Sequence, residues 1–499
     1  MLKLDTVTEL WRSGYLMKWI TAKADQVAEP EMLLNWKKLN KGQTIQFEDN
    51  MVNRIVTHLV PQHTPNNQIV FDEPLYDYQV QDIEKMVRLG NVLNFNRMGY
   101  GKTVEAIIAA KKLNAQRVLV VAPKAVCMQW VAQIKQWWRA DVLLKDFEAP
   151  VVVINYEQLR STAVLYKVKS IRWDVCIVDE AHYIKNPKSG RTQAVLSIPA
   201  KHRFALTGTP VLKSPEDLWS ILEFVDPVYS GGSFWGFQFY FCEMVKTPFG
   251  WKNKGLTKNP KKVEVLRKLL DLAGVHNEDL KLTEGKRVSR VSLEMAPEQK
   301  RLHKQVTQLL IDELPEECTV ANGLSKTTRL QQITSWPGKF IEGCEGPKFQ
   351  WILEQCLGNP NEKLVVFTRY AQTAAALSEF LQNHKVYNAL YLGQWSSVKR
   401  QQSLKRFQED ESTQVMIGTI GAMGTGVDGL QRVSHICVML DRDWLPEINQ
   451  QCEDRLNRVG QKEMVQVYYL ECLKSYDTRL RNVNDIRDKD IRKVLKGDD

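Results

Sequence analysis

No two cysteines of this 499-residue chain form a C-x-x-C pair. The nine lie scattered at 127, 176, 242, 318, 344, 356, 437, 452 and 472. An odd number at such spacing argues against a zinc module or a disulfide framework and points to a reducing compartment. No stretch reaches the roughly 18 apolar residues that span a membrane. The opening MLKLDTVTELW has Asp5 and Glu9 where a secretory leader needs an apolar run. A soluble, cytoplasmic protein is expected. An acidic excess is also missing. The formal net charge is +10 and the pI about 9.0, a balance that suits a polyanionic partner. The charge is concentrated: residues 245–305 hold 15 Lys and Arg against 7 Asp and Glu, a net of +8. Such a local excess is either an electrostatic footprint for phosphates or a solvated helical face.

The residues present are of ordinary globular balance, 43% hydrophobic and 25% charged. The length suits about two to four domains. Residues 1–70 read as a mostly helical accessory region. Thr6-Val7-Thr8-Glu9 fits a capping box, and Leu10, Trp11, Leu16 and Trp19 form an apolar stripe. PQHTPNNQ, 61–68, reads as a linker. Over 71–226, short apolar runs alternate with helical stretches: VLNF, RVLVVAP, VVVINY, DVCIVDE and RFALTGT. Buried parallel strands covered by helices have this texture. Residues 227–345 break it with the aromatic GGSFWGFQFYF and the basic segment. It returns over 346–476 in KLVVFTRY, YNALYLG, QVMIGTI, SHICVML and VQVYYL. The expected fold class is α/β: two parallel-sheet lobes, an inter-lobe basic and mostly helical insertion, a small N-terminal region, and a helical tail over 477–499.

Three short stretches carry chemistry. In NFNRMGYGKTVEAI, 94–107, a strand leads through a glycine turn into a helix. Backbone N–H groups at a helix N-terminus hold phosphate. Lys102 would reach the β and γ phosphates and Thr103 would hold Mg2+, with Gly99 and Gly101 making the turn. The usual phosphate loop, G-x-x-x-x-G-K-[ST], has a glycine where this chain has Asn96. In WDVCIVDEAHYIKN, 173–186, a strand ends on Asp179, assigned to the metal, and Glu180, assigned to the attacking water. His182 either couples the lobes or caps the turn. In NQQCEDRLNRVGQ, 449–461, Arg455 and Arg458 would share a helix face and stabilise transition-state charge; the plainer reading is a basic surface helix.

The order and spacing of these pieces resemble superfamily-two helicases, and in detail the Swi/Snf-type DNA translocases with two RecA-like lobes. The resemblance rests on LYDYQVQ, MGYGKT, VVAPKAVCMQW, DEAHYIKN, LTGTPVLKSPEDLWSILEFVDP, TIGAMGTGVDGLQ and DRDWLPEINQQCEDRLNRVGQ, and covers about 71–476. It implies that Gln79 reads adenine and that Met98, Gly99, Tyr100, Gly101, Lys102 and Thr103 bind ATP. It further implies coupling roles for His182, Thr207, Thr209, Gly426, Asp428 and Gln451. Lys124 and Gln129 are expected near the DNA track, with Lys261, Lys262, Arg267 and Lys268 as basic DNA contacts. That family has Asp-Glu where this chain has Asn96-Arg97, often His where this chain has Asn457, and an Asn-Leu ending where this chain has Val427-Asp428. Its Arg-Arg motif is not found in the basic linker.

The resemblance implies ATP and Mg2+ as cofactors, double-stranded or branched DNA as partner, and a monomer acting by branch migration, fork remodelling or protein displacement, the work of DNA repair and recombination. A compact viral or bacterial member would suit the economy of the chain, in the host cytoplasm if viral. Three alternatives stay open: a strand-separating helicase, an inactive nucleic-acid-binding scaffold, and the motor subunit of a restriction-type complex.

Overall fold

The computed structural model describes residues 4–12, 15–23, 32–33, 36–39, 44–48, 50–56, 69–144, 146–208, 214–248, 250–277, 284–312, 320–424, 427–458 and 460–495. It divides into two units, residues 1–278 with 489–499, and residues 279–488.

The first unit is built on a seven-stranded sheet. Its order is 274–275, 91–94, 200–206, 173–179, 118–122, 151–155, 142–144, with every pairing parallel. Parallel strands covered on both faces are apolar throughout, and successive side chains enter opposite layers. Thus Leu119 and Val121 join one core, with Val152, Ile154 and Val178. Val118, Val120 and Ala122 join the other, with Val153, Ile177 and Phe204.

The second unit repeats the plan with six parallel strands, ordered 286–293, 465–472, 436–439, 364–368, 415–419, 388–391. Val365, Phe367 and Met416 face one core. Leu364, Val366 and Ile417 face the other. The two expected α/β lobes are therefore present, with all ten expected strands close to their expected places.

Two expectations need correction. The described part of residues 1–70 is not mostly helical. It is a four-stranded antiparallel sheet, ordered 4–12, 15–23, 44–48, 36–39, followed by the helix Met51–Val56. Thr6-Val7-Thr8-Glu9 lies inside the strand Leu4–Arg12, and Trp11 pairs with Leu16 across the hairpin. The signal was the run of β-branched and aromatic residues on both sides of Ser13-Gly14, which favours pleated backbone.

The stretch 227–345 is not one insertion either. It does contain the helices Phe234–Phe241, Pro260–Ala273, Pro297–Asp312 and Val320–Ser335. Yet Gly274–Val275 is an edge strand of the first sheet and Lys286–Leu293 an edge strand of the second. KRVSRVSL lacks the apolar run of a buried strand, with Arg287, Val288, Arg290 and Ser292 exposed, as an edge strand allows. The described part of the expected C-terminal tail 477–499 lies in the helix Tyr476–Leu495, and 496–499 lie outside the described residues.

Candidate nucleotide site

The parallel register creates the site. Leu206 stands opposite both Asn94 and Asp179, so three neighbouring strands end together. Open α/β sheets bind ligands at such carboxyl ends. Here the three ends carry the MGYGKT loop, Thr207 and the Asp179-Glu180 pair.

The loop leaves the strand Asn91–Asn94 and enters the helix Lys102–Lys112. Gly99 and Gly101 have φ of 85° and 88°, a left-handed backbone that glycine adopts without a Cβ clash. At Gly101 a Cβ would also lie 2.4 Å from Gln79 Nε2. Gln79 accordingly packs on the loop, its Oε1 accepting from the Tyr76 amide at 3.2 Å, while Tyr78 donates to the Tyr100 carbonyl at 2.8 Å. Lys102 Nζ donates to the carbonyls of Asn96 at 2.7 Å and Arg97 at 3.1 Å. Thr103 follows on the first turn of the helix. Met98 touches the third strand's exit, where a Cβ on Gly208 would lie 2.8 Å from its Cγ. Thr207 is buried, its amide donating to the Asn94 carbonyl at 3.0 Å. Thr209 lies outside the described residues.

Asn96 explains its own departure from the family pattern. Its side chain is fully buried. The carboxamide donates to Asp82 Oδ2 at 2.7 Å and Glu105 Oε2 at 3.2 Å, and accepts from the Asn277 amide at 2.8 Å. Asn94 donates to Glu105 at 2.6 Å and Asn277 donates to Asp82 at 2.6 Å. Burial, then the nearby Asp82, pushes the Glu105 carboxyl up to about 8. Burial also raises Asp82, against the hydrogen bonds from Asn96 and Asn277. Two carboxyl groups thus sit beneath the MGYGKT loop among three amide side chains. Asn277 belongs to the segment after Gly274, where a Cβ would lie 2.0 Å from the Leu93 carbonyl oxygen; only glycine allows that approach. Asp82, Asn94, Glu105 and Asn277 were not singled out from sequence.

At the neighbouring strand end, Asp179 is held from three directions. Oδ2 accepts from Trp130 Nε1 at 2.8 Å, Oδ1 from the Glu180 amide at 3.0 Å, and its carbonyl from Tyr156 at 2.6 Å. Burial, then the adjacent Glu180, pushes its carboxyl up to about 6, against the pull of Trp130 and Lys102. Glu180 has φ 50° and ψ 55°, a left-handed conformation that non-glycine residues rarely adopt and that re-aims its side chain. Its Oε2 lies 3.2 Å from His182 Nδ1. Trp130, the last residue of VVAPKAVCMQW, is a site residue whose role the sequence did not disclose. Lys124 and Gln129 are exposed near it. Thr103 and Asp179 offer hard oxygen donors, the kind Mg2+ takes alongside phosphate and water. Among the described residues no cluster of three or more His, Cys, Asp or Glu has the arrangement of a dedicated metal cage.

In the second unit the expected shared helix face is corrected. The helix Pro446–Glu453 carries the buried Gln451 and ends before Arg455 and Arg458. Arg455 is buried, its Nε donating to the Gly424 carbonyl at 2.8 Å and its Nη1 to the Val427 carbonyl at 3.2 Å. Arg458 Nη1 pairs with Asp428 Oδ1 at 2.9 Å. Burial works to raise the Asp428 carboxyl, but the Arg458 guanidinium outweighs it and holds the group below its ordinary range. Beyond the helix end at Glu453, Arg455 turns inward to the loop carbonyls. Both arginines therefore converge on the 424–428 loop. Gly426 lies outside the described residues.

The expected basic contacts do not form one patch. On the helix Pro260–Ala273, 3.6 residues per turn puts Lys261 and Lys268 on one face and turns Lys262 and Arg267 away on either side. Lys262 Nζ sits 4.4 Å from the centre of the Tyr240 ring, Lys268 pairs with Glu264 at 2.8 Å, and Arg267 is half-buried.

The SNF2-related domain profile matches residues 78–338, and the helicase conserved C-terminal domain matches 347–460. The chain is 28% identical over 452 residues to a probable ATP-dependent DNA helicase, CHR12, of Arabidopsis thaliana, covering 79% of this chain and 40% of that protein. It is 26% identical over 394 residues to the SWI/SNF-related matrix-associated actin-dependent regulator of chromatin subfamily A-like protein 1 of Xenopus tropicalis, covering 77% and 40%. The chain thus spans about two-fifths of the length of these relatives. A solved Sulfolobus solfataricus SWI2/SNF2 ATPase core in complex with dsDNA is 22% identical, with 88% of this chain and 98% of that chain covered and a TM-score of 0.39.

Proposed function

The chain belongs to the SNF2-related domain family, and on that premise we propose that it is an ATP-hydrolysing motor that moves along or remodels double-stranded DNA. The supporting observation is the common strand end at Asn94, Leu206 and Asp179. It gathers the Lys102 loop, Thr207 and the acidic pair onto one edge. In this reading Gln79 and the 98–103 loop bind ATP, and Lys102 with the first amides of its helix holds the phosphates. Thr103 and Asp179 would hold Mg2+, which supplies charge neutralisation when bound. Glu180 orients and deprotonates the attacking water, with His182 setting its carboxylate. Arg455 and Arg458 stabilise the charge that develops on the transferred phosphate. Thr207, Thr209, Gln451 and the 424–428 loop couple hydrolysis to movement. DNA is gripped through phosphates by groups such as Lys124, Gln129 and the Lys261–Lys268 face, since a motor must release and re-grip any sequence.

The test is ATP hydrolysis without DNA and with single strands, plain duplex and a four-way junction, using Lys102→Ala as the blank. Stimulation by duplex or junction, with little from single strands, is expected. Stimulation chiefly by single strands would replace this reading with a strand-separating helicase, and no hydrolysis with any of them would favour an inactive scaffold.

A further inference from the structure

The helix Phe234–Phe241 has aromatic residues around its whole circumference, a composition suited to full burial. Only part of it is buried. Phe237 and Phe241 are fully enclosed, and Tyr240 donates to the Met32 carbonyl. On the other side Trp235 is 54% exposed and Phe239 41%. Beside them is the hairpin of Cys242–Thr247 and Gly250–Leu256, whose Trp251 is 51% exposed. The rings form a ladder. Trp235 and Phe239 are 6.2 Å apart and Phe239 meets Trp251 edge-on at 4.9 Å, which leaves ring surface open.

The unpaired charge of the hairpin beside this ladder is positive, while Glu216 accepts from Gln238 of the helix. Lys246, exposed, is the cross-strand partner of Trp251 and shares its face; Lys252, also exposed, alternates to the other face, and Lys254 lies at the break in register. The single acid of the hairpin, Glu243, is paired with Lys258 at 3.1 Å. A partner must therefore offer flat apolar faces and negative charge together. Plain duplex DNA offers the charge, but its base faces are closed by stacking. An unpaired strand offers both, because each base has a free face beside a phosphate.

We propose that Trp235, Phe239 and Trp251, with Lys246, form a stacking platform for the unpaired nucleotides of branched DNA. The platform lies apart from the nucleotide-site residues in sequence and supplies the motor with a reason to prefer forks over plain duplex. It rests on the reading of this chain as a DNA motor.

The experiment uses the full chain and fluorescein-labelled probes: a thymidine oligonucleotide, a fork with unpaired arms and a blunt duplex. Anisotropy gives the three affinities, and ATP hydrolysis with blunt duplex is followed in parallel. Trp251→Ala should weaken binding of the oligonucleotide and fork about tenfold, the loss of one stacked base. Trp251→Phe should retain most of that affinity, while duplex binding and duplex-stimulated hydrolysis stay unchanged. Equal losses on all three probes, or no loss on any, would overturn the platform. So would a change in sedimentation of Trp251→Ala, which would make the ladder a contact between copies. So would anionic phosphatidylserine vesicles binding in its place. Failure of the wild-type chain to hydrolyse ATP with duplex would instead defeat the motor reading, and the oligonucleotide affinities would still decide the platform.

Discussion

Asn96 Nδ2 donates to Asp82 Oδ2 at 2.7 Å, beneath the loop whose Lys102 is held by the Asn96 carbonyl. One residue thus binds the loop's cation through its backbone and a buried carboxylate through its side chain. An aspartate there would place a third acid beside Asp82 and Glu105.

Asn96→Asp should therefore destabilise the first unit by about 2 kcal/mol, the scale of a lost hydrogen bond with an unsatisfied buried partner. Calorimetry should show a fall of several degrees in Tm, together with a raised KM for ATP. Asp82→Asn in the same background should recover most of the loss. An unchanged Tm in the single variant would mean that the cluster does not support the loop.

Glu180→Gln should bind ATP normally and lose about 100- to 10,000-fold in turnover, the range of a positioned general base. His182→Ala should be milder, because His182 acts through the Glu180 carboxylate 3.2 Å away. Normal single-turnover hydrolysis by Glu180→Gln would remove Glu180 from the water-activating role.

Arg458→Ala should lower kcat about a thousandfold, as loss of an arginine finger does, with ATP affinity largely kept. Asp428→Asn removes only the charge that pairs with Arg458 and should cost far less. Equal losses in the two variants would show that Arg458 serves to brace the 424–428 loop.

Lys261→Ala with Lys268→Ala should reduce the salt slope of duplex binding by roughly 2, since each phosphate contact contributes about 0.9. Lys262→Ala should leave the slope unchanged and lower stability, since its ammonium packs over the Tyr240 ring. The reverse pattern, read by anisotropy at several salt concentrations, would reassign the contact.

His303 is buried, and its Nε2 accepts the Tyr476 amide at 3.2 Å. Burial holds its pKa below the ordinary 6.5, against the pull of the Asp477 carboxylate. The unfolded chain then binds a proton that the folded ring refuses, so this contribution is complete above about pH 6.5 and lost as pH falls through the depressed value. Tm should drop more steeply between pH 7 and 5 in the wild type than in His303→Gln, which keeps an acceptor without the titration. Parallel curves would exclude His303 as a source of acid sensitivity.

The two sheets were legible because buried parallel strands are near-continuous apolar runs, and each announces itself locally. VLVVA and VVVIN need no knowledge of their neighbours. The antiparallel strands 4–12 and 15–23 were missed because Thr6-Val7-Thr8-Glu9 fits a capping box, although Leu10, Trp11, Leu16 and Trp19 do not fall on one helix face. The edge strand 286–293 was hidden because Lys286, which pairs with Glu453 and Asp454, and the exposed Arg287 and Arg290 interrupt any apolar run. Trp130 escaped notice because its bond to Asp179 joins residues 49 apart in the chain.

The sequence by itself determined the order of the lobes, the position of the phosphate loop, the acidic strand end and the presence of Arg455 and Arg458, since apolar runs, glycines and short spacings are local properties. Tertiary structure alone decided that Asn96 joins Asp82, Glu105 and Asn277, that Arg455 turns inward to the 424–427 carbonyls, and that one side of the 234–241 helix stays open. Those outcomes depend on which distant groups can satisfy a buried charge or cover an apolar face, and that is settled only when the chain has packed.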